Sequence, residues 1–218
     1  MIAEKIFRAY LDFMQEKYGH EHLENRIHVH DLVRCKHKSE LETLFPETAS
    51  TLSPILFLGE AVDEFVKMLV VTYKDKLFEK LETTTGEFEK TVNFNGKEIT
   101  IIGRPDILLE DSVIEIKYSR TPEDKPLEHH INQLKIYMFL TNKNRGILVY
   151  FTPKGLREFT FEEEVKEDFI HSILETWGSP RYEWECQYCN YKEICPYRVI
   201  PSEKPEIEED SGASTSST

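Results

Sequence analysis

Gly103-Arg104-Pro105-Asp106-Ile107-Leu108-Leu109 is followed, after Glu110-Asp111-Ser112, by Val113-Ile114-Glu115-Ile116-Lys117. On a strand alternate residues share a face, so Glu115 and Lys117 project together while Ile114 and Ile116 enter a core. A hairpin centred near Asp111 sets Asp106 beside residue 116, within one position of both. The expectation is a short Asp–Glu–Lys cluster at a sheet edge. Two carboxylates can hold Mg²⁺ or Mn²⁺, hard cations that prefer oxygen. Such a metal polarises a phosphate and lowers the pKa of its bound water. A neighbouring lysine can place that water or offset charge that develops on the phosphate. An amphipathic hairpin with one cross-strand ion pair would also contain Glu-x-Lys. The Gly-x-x-Asp ahead of it turns the reading toward metal-assisted phosphodiester hydrolysis, with Asp106, Glu115 and Lys117 at its centre.

Downstream, Leu127 to Leu140 reads as a helix with Leu127, Ile131, Leu134 and Met138 on one face. Gln133 and Tyr137 lie four residues apart on one side of it, with His130 a turn earlier. Solvated surface is the default reading of Gln-x-x-x-Tyr, but after this hairpin it is where a DNA strand would be gripped. Upstream, Glu87 to Asn93 reads as a strand, Asn95-Gly96 as a hairpin turn, and Lys97 to Leu109 as one continuous second strand. Gly146 to Phe151 reads as a short buried strand paired with Leu156 to Phe161, and Phe169 to Trp177 as a late helix. Near the start, Ile2 to Tyr18 has helical spacing. Asp31 suits an N-cap that would place Cys35 near a first turn. Ser53-Pro54 through Val71 reads as another helix, carrying Gly59-Glu60-Ala61-Val62-Asp63-Glu64. There is no internal repeat.

The four cysteines fall in a one-plus-three arrangement. Cys186, Cys189 and Cys195, the last followed by Pro196, form a compact loop, and Cys35 stands far away in sequence. Paired zinc knuckles bring two short cysteine pairs, which this pattern does not match. A three-plus-one set closed by Cys-Pro is more like an iron–sulfur site, which needs four thiolates. Zinc is the competing reading and four unliganded thiols the third. The histidines His20, His22, His28 and His30 lack a convincing companion set for a metal and read as surface or partly buried residues.

The chain has 218 residues, 39% hydrophobic and 31% charged, enough for one sizeable core. No apolar run is long enough to span a membrane, and the start lacks a signal-peptide core. A cytoplasmic protein is expected, and in that compartment structural disulfides are disfavoured. The formal net charge of −13 opposes nucleic-acid binding. The stretch from Pro201 holds five acids and one base, so the remainder still carries −9. DNA binding therefore needs a confined basic track, for which Arg104, Arg120, Lys125, Lys135, Lys143 and Arg145 are the candidates. Trp177, Tyr182, Trp184, Tyr188 and Tyr191 suit base stacking, although packing around the cysteines is the expected role of most of them.

Together these motifs, from the Cys35 segment to Arg198, resemble the RecB-like branch of the PD-(D/E)xK nucleases. Within it they are similar to the CRISPR-associated exonucleases of the fourth Cas family and related archaeal and viral enzymes. Asp106 falls on that family's Gly-x-x-Asp motif, Glu115 and Lys117 on Glu-x-Lys, Gln133 and Tyr137 on Gln-x-x-x-Tyr. Cys35, Cys186, Cys189 and Cys195 fall on its four cluster ligands. One departure stands out: the family has a metal-binding histidine four residues after a helical glycine, and here Asp63 follows Gly59. The resemblance implies an α/β, restriction-endonuclease-like core with a small mixed sheet flanked by helices, plus a C-terminal iron–sulfur module. The organisation expected is an N-terminal helical region over 1–85 that lends one cluster cysteine, a nuclease core over 86–180, the cluster module over 181–200, and a disordered acidic and Ser/Thr-rich tail over 201–218. It further implies a 4Fe–4S cluster and exonuclease action on single-stranded DNA or DNA ends, often from the 5′ end. Asp63, Asp106, Glu115 and the Ile116 carbonyl would hold Mg²⁺ or Mn²⁺, Lys117 would orient the water, and Gln133 and Tyr137 would position DNA. The partner implied is the CRISPR integrase complex. The alternative is a cluster-bearing DNA-binding or assembly subunit in which Asp63 marks lost activity.

Overall fold

The computed structural model describes residues 2–18, 25–45, 54–77, 81–83, 86–120 and 124–200. The expected tail, His20 and His22 lie outside them. Two mixed sheets form the centre. In the first, β1 (Arg26–His28) runs parallel to β4 (Lys97–Gly103), which pairs antiparallel with β3 (Phe88–Phe94). In the second the order is β2 (Leu81–Thr83), β5 (Ile107–Leu109), β6 (Val113–Tyr118), β7 (Arg145–Thr152), β8 (Gly155–Glu162). There β6 and β7 are parallel and the other pairs antiparallel. Parallel neighbours need a crossover, and α6 (Glu128–Thr141) supplies it. The helix ends at Asn142, whose left-handed backbone (φ 53°) directs its N–H to the Met138 and Phe139 carbonyls.

The stretch from Lys97 to Leu109 is two strands in two sheets rather than the one expected. Arg104-Pro105-Asp106 separates them, and Pro105 has no N–H for a ladder. The break is what frees Asp106 to bend toward β6. The segment before residue 86 also departs from a purely helical region, because β1 and β2 extend the two sheets. The Asn95-Gly96 turn forms as expected, both residues having positive φ.

Helices cover both faces of β6. On one side α4 (Pro54–Thr72) packs Val62, Val66 and Val70 against Ile107, Ile114, Ile116 and Ile147. On the other, α6 lies against β6 and β7 and also against β3 and β4, joining the two sheets through Leu134, Ile136, Met138 and Leu140. This larger core also takes in Tyr150, Leu148 and, from α7 (Glu167–Glu175), Ile170 and Ile173. The Glu-x-Lys pair therefore sits on a central strand, not at a sheet edge.

Two remaining elements frame the cysteines. Asp31 is not a helix cap; it lies buried within α2 (Val29–Leu32). There it accepts hydrogen bonds from the Arg34 guanidinium and, at 2.6 Å, from Ser39 Oγ. Cys35 itself precedes α3 (Lys36–Leu44). The C-terminal module holds only one short helix, α8 (Glu185–Tyr188), and otherwise turns. No helix among the described residues is long and apolar enough to cross a membrane.

Candidate active site and cysteine cluster

Sheet register brings the hairpin acids together as the spacing requires. Ile107 opposes Ile114, and one step beyond it Asp106 Oδ2 accepts the Ile116 N–H at 2.7 Å. Glu115 is buried on β6, with only 3% of its surface exposed. Its Oε1 pairs with Lys117 Nζ at 2.7 Å, and Nζ also donates to Gln133 Oε1 at 2.9 Å. Gln133 Nε2 in turn donates to Tyr137 Oη at 3.2 Å. The two motifs on strand and helix are thus one connected chain of polar groups. Ile116 lines the same cavity, its N–H already committed to Asp106.

Gly103 belongs to this arrangement by close approach. A Cβ there would stand 2.6 Å from Tyr137 Cε1 and 2.6 Å from Val29 Cγ2. The Gly-x-x-Asp glycine is therefore the socket for the tyrosine ring of Gln-x-x-x-Tyr.

Burial dominates the electrostatics. Glu115 is pushed up to about 8, first by loss of water and then by the Asp106 charge, with Lys117 opposing both. Asp106 is also raised, by burial first, against the pull of Lys67. Burial acts to lower Lys117, but Glu115 and Asp106 outweigh it and the net shift is upward. Glu115 Oε2 is buried with no hydrogen-bond partner among the described residues. An acceptor left bare beside a second carboxylate is the chemistry of a cation site, and an oxygen-preferring divalent ion suits it.

Asp63 reaches this centre from α4, and with it comes a residue that motif reading missed. Lys67 Nζ lies 2.9 Å from Asp63 Oδ2 and 2.9 Å from Asp106 Oδ1. Burial would lower its ammonium, yet Asp106 and Asp63 raise it well above the ordinary lysine range. Asp63-x-x-x-Lys67 is an ordinary helical ion-pair spacing, and nothing in it points to Asp106. Glu60 and Glu64 bring carboxylate oxygens within 4.8 Å of Asp63.

All four cysteines line the same cavity of about 1040 Å³ as Asp63, Asp106, Glu115, Lys117, Gln133 and Tyr137. Among the described residues, no three of their sulfurs lie within 4.8 Å of one another. Tetrahedral zinc needs its sulfurs about 3.8 Å apart. Burial raises the Cys35 thiol. Protein hydrogen bonds already join the two cysteine segments. The Glu185 carboxylate accepts the Cys35 N–H (2.9 Å), the Tyr182 N–H (2.9 Å) and the Arg181 N–H (3.1 Å). Trp177 Nε1 donates to the Asp31 carbonyl at 2.9 Å, and Tyr191 Oη to the Phe45 carbonyl at 3.2 Å. Trp177 and the buried Tyr191 therefore pack and brace the module.

Trp184 and Tyr188 behave differently: they are 45% and 76% exposed and line the cavity. Trp184 stacks on Tyr182 at 5.9 Å and lies 5.2 Å from the His129 ring. Burial, then the Lys117 charge, lowers His129 to about 4, and the same causes lower His130. Both imidazoles are neutral at pH 7, and His130 Nδ1 sits 2.8 Å from Tyr150 Oη.

The basic track expected from sequence does not assemble. Arg104 pairs with Glu87, Lys135 with Glu163 and Lys143 with Glu82, while Arg145 lies between Asp111 and Glu162. Of the six cations only Arg104 lines the cavity; His28 and His30, read as surface or partly buried, line it as well.

A buried Glu–Lys pair on the central strand, a second buried acid hydrogen-bonded to that strand, and helices on either side make the arrangement of a nuclease core. The model of the PD-(D/E)XK nuclease superfamily matches residues 12–196, and the chain belongs to that superfamily. Within it, the chain is 34% identical over 210 residues to the CRISPR-associated exonuclease Cas4 of Saccharolobus solfataricus. That alignment covers 91% of this chain and all of the relative. The crystal structure of SSO0001 superposes with a TM-score of 0.79 at 34% identity, covering 92% of this chain and 98% of that one.

Proposed function

We propose that the chain is a divalent-metal-dependent deoxyribonuclease that trims single-stranded DNA from its 5′ end and carries a 4Fe–4S cluster. The observation that carries the reading is the bare, buried Glu115 Oε2 beside Asp106, with Lys117 Nζ fixed 2.7 Å from the other Glu115 oxygen. Asp106, Glu115 and Asp63, with the Ile116 carbonyl, would hold Mg²⁺ or Mn²⁺. The ion, when bound, polarises the scissile phosphate and makes its water a stronger acid. Lys117 is positioned by Glu115 and Gln133 to orient the attacking water and meet charge on the phosphate. Tyr137, seated on Gly103, holds Gln133, and through it Lys117, in place.

The exposed Trp184 and Tyr188 support a single-stranded substrate, because only unpaired bases can stack on such rings. They also offer an acidic protein a grip that does not depend on phosphate neutralisation. Cys35, Cys186, Cys189 and Cys195 would hold the cluster. Their common cavity, and the three-plus-one arrangement closed by Cys195-Pro196, support an iron–sulfur group over paired zinc knuckles. The likeness to a CRISPR-associated exonuclease supports a place in spacer acquisition, beside the integrase.

The test is cleavage of single strands labelled at either end, with Mg²⁺ or Mn²⁺, by anaerobically purified protein. We expect 5′-end trimming, and a loss of at least about a hundredfold in Glu115→Ala and Lys117→Ala. The brown colour of the cluster should persist in both variants. Unchanged cutting by both would sink the assignment. A wild-type protein that binds DNA without cutting would establish the assembly-subunit reading instead. Metal analysis and a visible spectrum separate iron–sulfur from zinc.

A further inference from the structure

The position between Asp63 and Asp106 already holds a positive charge. Lys67 Nζ makes 2.9 Å contacts with a carboxylate oxygen of each, from an adjacent turn of α4 in one case and from the residue just before β5 in the other. An ammonium meets carboxylates at about this distance, whereas Mg²⁺ draws oxygens to about 2.1 Å. The same oxygens cannot serve both cations at full strength. We propose that Lys67 is an internal counter-cation of the active site, which a divalent ion must displace from Asp63 and Asp106 in order to bind.

The proposal rests on the metal-dependent reading above and adds a device to it. The Asp63–Lys67 spacing alone would make a routine helical pair; the contact to a buried acid from another element makes it part of the site. In the metal-free protein Lys67 compensates two acids that burial penalises, so the cleft folds with its ligands apart from solvent and already charged-balanced in part. Lys67 also lines the cavity, and its flexible four-carbon stem can carry the displaced ammonium along the wall. There it is available to a DNA phosphate, so metal loading and backbone binding are coupled. Resident charge also sets a threshold: the metal binds more weakly than the acids alone would allow.

Mn²⁺ binding to the full, cluster-bearing chain, followed by electron paramagnetic resonance of the free ion, tests this. In Lys67→Met the dissociation constant should fall at least about fivefold, the scale of a modest coupling between sites. Lys67→Arg keeps the charge and should stay near wild type. Lys67→Gln serves as a second neutral variant should the methionine fold poorly. Without metal, the neutral variants should melt below wild type, and saturating Mn²⁺ should raise their melting temperature by more. Equal or weaker Mn²⁺ binding in both neutral variants would overturn the proposal and make Lys67 a spacer of the acids. Saturable binding absent from wild type, or unaffected by Glu115→Gln, would instead bring down the metal-dependent reading itself.

Discussion

The strand-borne acids and the cysteine module share one cavity but are held there by opposite means. Glu115 and Lys117 ride on a paired strand and Asp106 stands just before its neighbour, so register leaves little freedom and their charges are compressed into a buried space. The cysteines sit on turns and one four-residue helix, positioned by side chains that reach to distant backbone groups. The first region gathers charged side chains on regular backbone; the second gathers thiols on irregular backbone. A buried site of the first kind gains by neutralisation, whereas one of the second kind gains by cross-linking.

The widest gap between the regions should appear with pH. Glu115 has its folded pKa raised from 4.5 to about 8, so the metal-free protein has its full share of stability from this group below about pH 4.5. That share is lost as pH rises through 8. Glu115→Gln cannot ionise, so its melting temperature minus that of wild type should grow steadily from pH 4.5 to 8. Saturating Mn²⁺ should shrink the difference by stabilising wild type. A flat difference would mean that Glu115 is not penalised by burial.

Removal of Glu185 probes the other region. Its carboxylate receives three backbone N–H groups, and Glu185→Ala should cost about 2–3 kcal/mol in denaturant unfolding. The same variant should lose the visible absorbance of the proposed cluster faster under chelation while Mn²⁺ binding at the acids is kept. Equal loss at both sites would show the two regions to be one cooperative unit.

A smaller effect tests the socket beneath the polar chain. Gly103→Ala sets a methyl 2.6 Å from Tyr137 and Val29, and should cost about 1–3 kcal/mol. It should reduce cleavage more than the unfolding cost explains, because Tyr137 carries Gln133 and hence Lys117. Tyr137→Phe, which keeps the ring and drops the hydroxyl, should restore nothing in the alanine background.

How much of this could be read from the chain differs by region in the same way. Period-two spacing and a short turn fix which residues of a hairpin meet, so the Asp106–Glu115–Lys117 group was legible before any coordinates. The helices at Ile2–Tyr18, Pro54–Thr72 and Glu128–Thr141 followed from apolar spacing for the same local reason. Pro105 carried the information that Lys97 to Leu109 breaks, but a proline alone does not say that the two pieces enter different sheets. The basic residues near the motifs in sequence mostly lie away from the cavity, because all but Arg145 sit in connections or on α6, where nearness along the chain does not set which way a side chain faces.

The sequence by itself determined the acids, the lysine, the helix that braces them and the three thiols of the C-terminal module, since these depend on residue type and short-range spacing. Tertiary structure alone decided that Lys67 stands between Asp63 and Asp106, that Gly103 is the seat of Tyr137, and that Glu185 holds Cys35 across 150 residues. Each of those contacts joins elements whose separation along the chain bears no relation to their distance in space. The packing of α4 and α6 against β6 and its neighbours makes the first two, and the hydrogen bonds of Glu185 and Trp177 make the third.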